Sequence, residues 1–131
     1  MINIFSRYKF IFYLFNFVLI FLYLFPGSFL GCILYDNCKK QPQITPDFII
    51  STNHLYAFFL FSLIGFLTYK KKNQLKKLSI YLILLSIILE LFHYIIPYRS
   101  FETPDLFGNF LGVVVVIIFR FFLKKYENYK N

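Results

Sequence analysis

IILELFHYIIPYRSFETPDLFGNFLG, residues 87–112, sets Glu90, His93, Arg99 and Asp105 inside or beside runs apolar enough to enter a lipid bilayer. A charge held in hydrocarbon costs at least ~2.5 kcal/mol on insertion scales, so such groups must be shielded from lipid, paired or put to use. The stretch reads as the end of one apolar helix, a short polar turn and the start of another. How many such helices the chain forms decides the fold.

Hydrophobic residues make up 59% of the 131, against roughly 45–50% in a soluble protein, and the length suits one domain. The net charge of +8 and pI near 9.5 would suit nucleic acid only if the basic residues formed a soluble patch with a recognition motif. Here they lie between apolar runs, as in the cytoplasmic loops of membrane proteins, so no nucleic-acid partner is expected. The 20 Phe and 11 Tyr, with no Trp, accompany abundant Ile, Lys and Asn in the manner of AT-rich coding sequence. No single aromatic is therefore assigned a role.

A spanning helix needs about 20 largely apolar residues, and four stretches approach this, at about residues 10–26, 53–69, 78–97 and 105–123. The one long connection, PGSFLGCILYDNCKKQPQITPDFIIST (26–52), carries three prolines and reads as an extramembrane loop touching the interface at 29–34 or 48–50. With the N-terminus cytoplasmic, that side collects Arg7, Lys9, Lys70, Lys71, Lys72, Lys76, Lys77, Arg120, Lys124, Lys125 and Lys130, leaving Lys39, Lys40 and Arg99 outside. The expected fold is thus all-α, an integral membrane four-helix bundle in a bacterial inner or plasma membrane, with both termini cytoplasmic. KKKNQLKK (70–77) reads as a turn against anionic headgroups. The run ending FLGC imitates a lipoprotein signal cleaved at Cys32, but Phe29 and Leu30 fit that box poorly and the apolar run is long for a signal. For Cys32 and Cys38, facing the outer compartment, a disulfide and two free thiols both stay open.

In the third span Glu90 and His93 share a helix face with Ser86 and Pro97. If the helix runs to Pro97, Glu90 lies about 10 Å below its outer end. The fourth span opens at TPDLFGNFLG, with Thr103 as expected N-cap and Pro104 at the first helical position. Asp105, Gly108, Asn109 and Gly112 then fall on one stripe. Gly108 and Gly112 have the GxxxG spacing of close helix packing, which would bring Asn109 against Glu90 or His93. His54 opens the second span and Arg99 sits in the turn after the third. His54, Glu90, His93, Arg99, Asp105 and Asn109 should all meet in the outer third of one bundle. The plainer alternative is helix glue, with Arg99 neutralising a carboxylate and Asn109 bridging helices.

HLYAF (54–58), ELFHYIIPYR (90–99) and RSFETPDLFGNFLG (99–112) resemble the VanZ-like family of small bacterial membrane proteins. Its pattern runs H-x-x-x-F, E-x-x-Q, P-x-R, then R-x5-D-x3-N-x2-G, and the resemblance covers about residues 51–116. It departs where the family often has Lys (Ser51), Gln (His93) and Gly (Val116). The resemblance implies a cell-envelope protein of a glycopeptide-resistance family, named for a member associated with resistance to teicoplanin. It does not carry that resistance to this chain.

The first functional expectation is a site for the anionic headgroup of a lipid or lipid-linked envelope precursor. Arg99 would make the bidentate contact, Glu90 and Asp105 would orient it, and Asn109 would bond the headgroup. N-termini of the second and fourth spans would add partial positive charge. A competing expectation is an outer-leaflet enzyme with Glu90 or His93 as general base, assisted by Asp105 or Arg99. No nucleophile motif or phosphate loop accompanies it. A metal held by Glu90, His93 and His54 is set aside, because Glu-x-x-His bundles normally carry the motif twice and the family prefers Gln at His93. No metal or cofactor is expected. Oligomeric state is open.

Overall fold

The computed structural model describes residues 4–130, with side chains from residue 8 onward; the Arg7 side chain counted above lies outside the described residues. The described chain is all-helical: α1 (Ile4–Leu24), α2 (Phe29–Tyr35), α3 (Thr52–Thr68), α4 (Lys72–Phe92) and α5 (Thr103–Lys130). Four long helices were expected. The fifth, α2, lies within the connection read from sequence as a loop.

Pro26, which has no N–H to donate, and Gly27, at φ +79°, stop α1. The chain bends by 80° into α2. Ser28 caps α2, its Oγ accepting from the Gly31 N–H at 3.0 Å. A disulfide joins Cys32 to Cys38 and closes the segment behind it. The chain then packs against the start of α3. Asp47 accepts from Thr52 N at 2.8 Å, and Asn53 both donates to Pro42 O at 2.6 Å and accepts from Ile44 N at 3.1 Å.

Helix α3 is central, packed on α5, α1 and α4. Its closest neighbour is α5, and the glycines explain why. A Cβ on Gly108 would stand 2.5 Å from Ser51 O, and one on Gly112 would stand 2.7 Å from Leu55 O, so only glycine lets these backbones meet. On the opposite face Gly65 admits Phe12 and Leu78. Phe58, Phe61, Leu82 and Val113 fill the space between the helices and are buried.

Two expected boundaries move. Helix α4 ends at Phe92 rather than Pro97, because the next N–H groups, of His93, Tyr94 and Ile95, bond three residues back to Glu90, Leu91 and Phe92. Such tightening is common in a last turn, and Pro97 disfavours the α conformation before it. Glu90 therefore lies in the last turn of α4, not 10 Å inside it. At α5 the first helical bonds run to Glu102 O, from Asp105 N and Leu106 N, so Glu102 and not Thr103 holds the N-cap position. Pro104 still falls in the first turn, where its missing N–H costs nothing.

The outer surface is far more apolar than that of a soluble bundle, and the mainly apolar interior also holds polar groups. Phe10, Phe17, Leu60, Leu67, Leu84, Phe107, Phe119 and Phe121 face outward, while Ser62, Ser86, Glu90 and Asn109 are fully buried. Among the described residues one helix, α5, is long and apolar enough to cross a membrane, and a second qualifies if α1 and α2 count as one broken span. Helix α3 is apolar but shorter, and α4 carries Lys76, Lys77 and Glu90.

Candidate functional site

The last turns of α1 and α4 and the first turns of α3 and α5 meet at one end of the bundle, and each contributes polar groups. Helix α1 supplies bare carbonyls, since the last four C=O groups of a helix have no partner within it. Arg99 donates to one of them, through Nη2 to Leu22 O at 2.9 Å, and through Nε to the carbonyl of Phe25, just past the helix end, at 3.4 Å. The ring of His93 meets another of the helix-terminal carbonyls, with Nε2 3.1 Å from Tyr23 O. Arg99 is thus held by α1, not by Glu90 or Asp105 as its spacing suggested. Burial lowers its pKa while Tyr23, Glu90 and Asp105 raise it, and a guanidinium stays cationic throughout.

Glu90 and His93 do meet, Oε1 to Nδ1, at 3.1 Å, with both side chains buried. The Glu102 N–H also donates to Oε1, at 3.2 Å, so the turn before α5 folds over the carboxylate and seals it. The second oxygen, Oε2, is buried without a hydrogen-bond partner.

His54 is buried at the start of α3, its Nδ1 2.8 Å from Ser51 Oγ and 3.5 Å from Asp105 Oδ1. Both neighbours share one ring nitrogen. A serine nucleophile needs its base on the nitrogen opposite the one facing the carboxylate. Ser51, His54 and Asp105 are therefore close but not a triad.

Asn109 is fully buried. It accepts from Tyr23 OH at 2.6 Å and donates to Ser86 O at 3.3 Å, so it binds α1 and α4 to α5 and makes no hydrogen bond to Glu90 or His93. Tyr23 had been assigned no role. Its ring stacks on His93 with centroids 5.9 Å apart and meets His54 edge-on at 5.2 Å. Nothing in its surroundings in the sequence separates it from ten other tyrosines; only its place in the last turn of α1 does.

Two cavities open beside this cluster. One, of about 190 Å³, is polar and bordered by Ser28, Lys39, His93, Arg99, Glu102 and Asp105. The other, of about 290 Å³, is mainly apolar, lined by Leu19, Leu22, Phe29, Leu30, Ala57 and Leu60, and reaches His54 and Tyr23. Ser28, Gln41 and Arg99 border both. Of the six residues expected at a site, His54, His93, Arg99 and Asp105 face these cavities, while Glu90 and Asn109 stand behind them. Comparison with known proteins adds nothing to this geometry: no family model, curated protein or solved structure matches the chain.

Proposed function

We propose that the chain is a VanZ-like, multi-pass protein of a bacterial inner or plasma membrane that holds an anionic amphiphile at the outer leaflet, a lipid or a lipid-linked envelope precursor. The observation that carries this reading is Arg99 at the junction of an apolar and a polar cavity. An acyl chain suits the first and a charged headgroup the second. Two nitrogens of Arg99 are engaged by α1, which fixes the guanidinium and leaves Nη1 for an acidic oxygen. Lys39, also lining the polar cavity, adds a second cation, its Nζ 5.4 Å from the centre of the Tyr98 ring.

The membrane assignment draws support from the apolar exterior, since apolar patches of this extent are otherwise rare on a soluble monomer. With four spans, the basic residues of the α3–α4 turn and the C-terminal end of α5 lie on the cytoplasmic side and the site on the outer side. The Cys32–Cys38 disulfide suits that outer, oxidising compartment. The family assignment rests on the spacing of His54, Phe58, Glu90, Pro97, Arg99, Asp105, Asn109 and Gly112.

Native mass spectrometry of the protein and its Arg99→Ala variant, released from mild detergent, tests the reading. A defined anionic lipid retained by the wild type and lost from a still-folded variant is the expected result. An identical lipid pattern in the two would reduce the cluster to a packing network.

A further inference from the structure

Glu90 Oε2 is a buried carboxylate oxygen with no partner, and a buried orphan of this kind asks for a ligand, a water or an ion. The same carboxylate belongs to a group of three. One donor atom each from His54, Glu90 and Asp105 lie within 4.8 Å of one another. Two carboxylates and an imidazole this close, away from bulk water, are unfavourable unless a positive charge sits among them. Arg99 is turned toward the carbonyls of α1, and His93 has one ring nitrogen on Glu90 and the other on Tyr23 O.

We propose that His54, Glu90 and Asp105 form a divalent-metal site of the zinc type, one residue each from α3, α4 and α5. One imidazole and two carboxylates suit Zn²⁺ or Mn²⁺, and three protein ligands with an open position are the pattern of a reactive rather than a purely structural zinc. His54 Nδ1 and Asp105 Oδ1 are 3.5 Å apart, and Ser51 Oγ, 2.8 Å from the same nitrogen, turns its hydroxyl away when an ion takes that lone pair. Two donors on one tetrahedral ion at bonds of about 2.1 Å stand ~3.4 Å apart. Since the donor atoms lie within 4.8 Å of one another, Glu90 must close by up to ~1.4 Å, and its unbonded oxygen is free to do so while His93 and the Glu102 N–H hold the other. Asp105 borders the polar cavity and His54 the apolar one, so both entry and the open position lie on the cavity side.

This set differs from the Glu90, His93 and His54 combination weighed from sequence. Asp105 replaces His93, whose two nitrogens are already engaged. A cation here would also cancel both carboxylates and leave Arg99 and Lys39 to face an anion, but the metal site stands without the headgroup reading.

The test uses the full chain in mild detergent, stripped with chelator, given Zn²⁺ and freed of excess by gel filtration. Metal content and the thermal unfolding midpoint are then read. About one zinc per chain, a raised midpoint and a loss of affinity of ~tenfold or more in Asp105→Asn are expected. Circular dichroism checks that the variant stays helical, and His54→Gln replaces it if it does not. Wild-type content far below one per chain overturns the proposal whatever the variants do. So does zinc retained equally by folded Asp105→Asn or His54→Gln, which would place the ion elsewhere. Stoichiometric zinc on a chain that carries no lipid would refute the headgroup reading alone.

Discussion

Gly112→Ala probes the contact that brings α5 against α3 and so positions Asp105 beside His54. The new Cβ would lie 2.7 Å from Leu55 O, 2.8 Å from Phe59 N and 3.0 Å from Phe58 Cβ. Non-bonded heavy atoms rest at ~3.5–4.0 Å, so α5 must retreat by roughly 0.5–1 Å. Two of the three neighbours are backbone atoms, and no rotamer change relieves them. Overpacking of this kind costs about 1–3 kcal/mol. The gain in helix propensity from Gly to Ala offsets roughly 1 kcal/mol of it. With the clash against backbone, the upper part of that range applies and the net loss is about 1–2 kcal/mol. Thermal unfolding in mild detergent, followed by circular dichroism, should show a fall in Tm of roughly 3–8 °C. Gly65→Ala is the matched control. Its Cβ would meet only the ends of Phe12 and Leu78 side chains, at 3.0–3.2 Å, which can shift, so its Tm should stay within ~2 °C of wild type. A Gly112→Ala protein as stable as wild type, or a Gly65→Ala protein that loses as much, would refute this account of the interface.

Tyr23→Phe removes the hydroxyl that donates to Asn109 Oδ1 at 2.6 Å and leaves a buried acceptor bare. A loss of about 1–3 kcal/mol is expected in the same unfolding assay, and an unchanged Tm would show that Asn109 finds another partner. At the start of α3, burial pushes the Asp47 carboxyl up, but hydrogen bonds from Thr52 and Gln43 outweigh it and hold the pKa below the ordinary value. A lowered folded-state pKa stabilises the fold above the unfolded value, ~3.9, and that contribution is lost as pH falls through the folded value. Acid titration should therefore loosen the start of α3 below about pH 4, and Asp47→Asn should abolish that component. Hydrogen exchange at the Thr52 amide follows it; an identical acid profile in the variant would assign the capping to another group.

Helical periodicity is local, and so it was readable. The stripe of Asp105, Gly108, Asn109 and Gly112 and the pairing of Glu90 with His93 follow from 3.6 residues per turn. GxxxG spacing announced a close helix contact, but α3 as its partner came only from the structure. Where a helix ends is a closer contest. The stop at Phe92 follows from tight turns and the proline five residues further on, and it moved Glu90 from mid-helix to the last turn. Arg99 was visible as a cation in the outer turn, expected to meet a headgroup or to neutralise Glu90 or Asp105. That its acceptors are main-chain carbonyls of α1 could not be seen, because such carbonyls belong to every residue and carry no letter of their own. Tyr23 was hidden for a related reason, as one tyrosine among eleven.

From the sequence alone came the helical class, the apolar stretches, and the gathering of His54, Glu90, His93, Arg99, Asp105 and Asn109 at one end of an antiparallel arrangement. Each depends on composition and on periods of a few residues, which any helix obeys. Tertiary structure decided which of these groups touch. It set His54, Glu90 and Asp105 around a common point, withdrew Asn109 into the interior and fixed Arg99 between two cavities. Those pairings depend on how closely the helices approach and on where their terminal carbonyls fall, and both are set by packing between residues up to 86 positions apart in the chain.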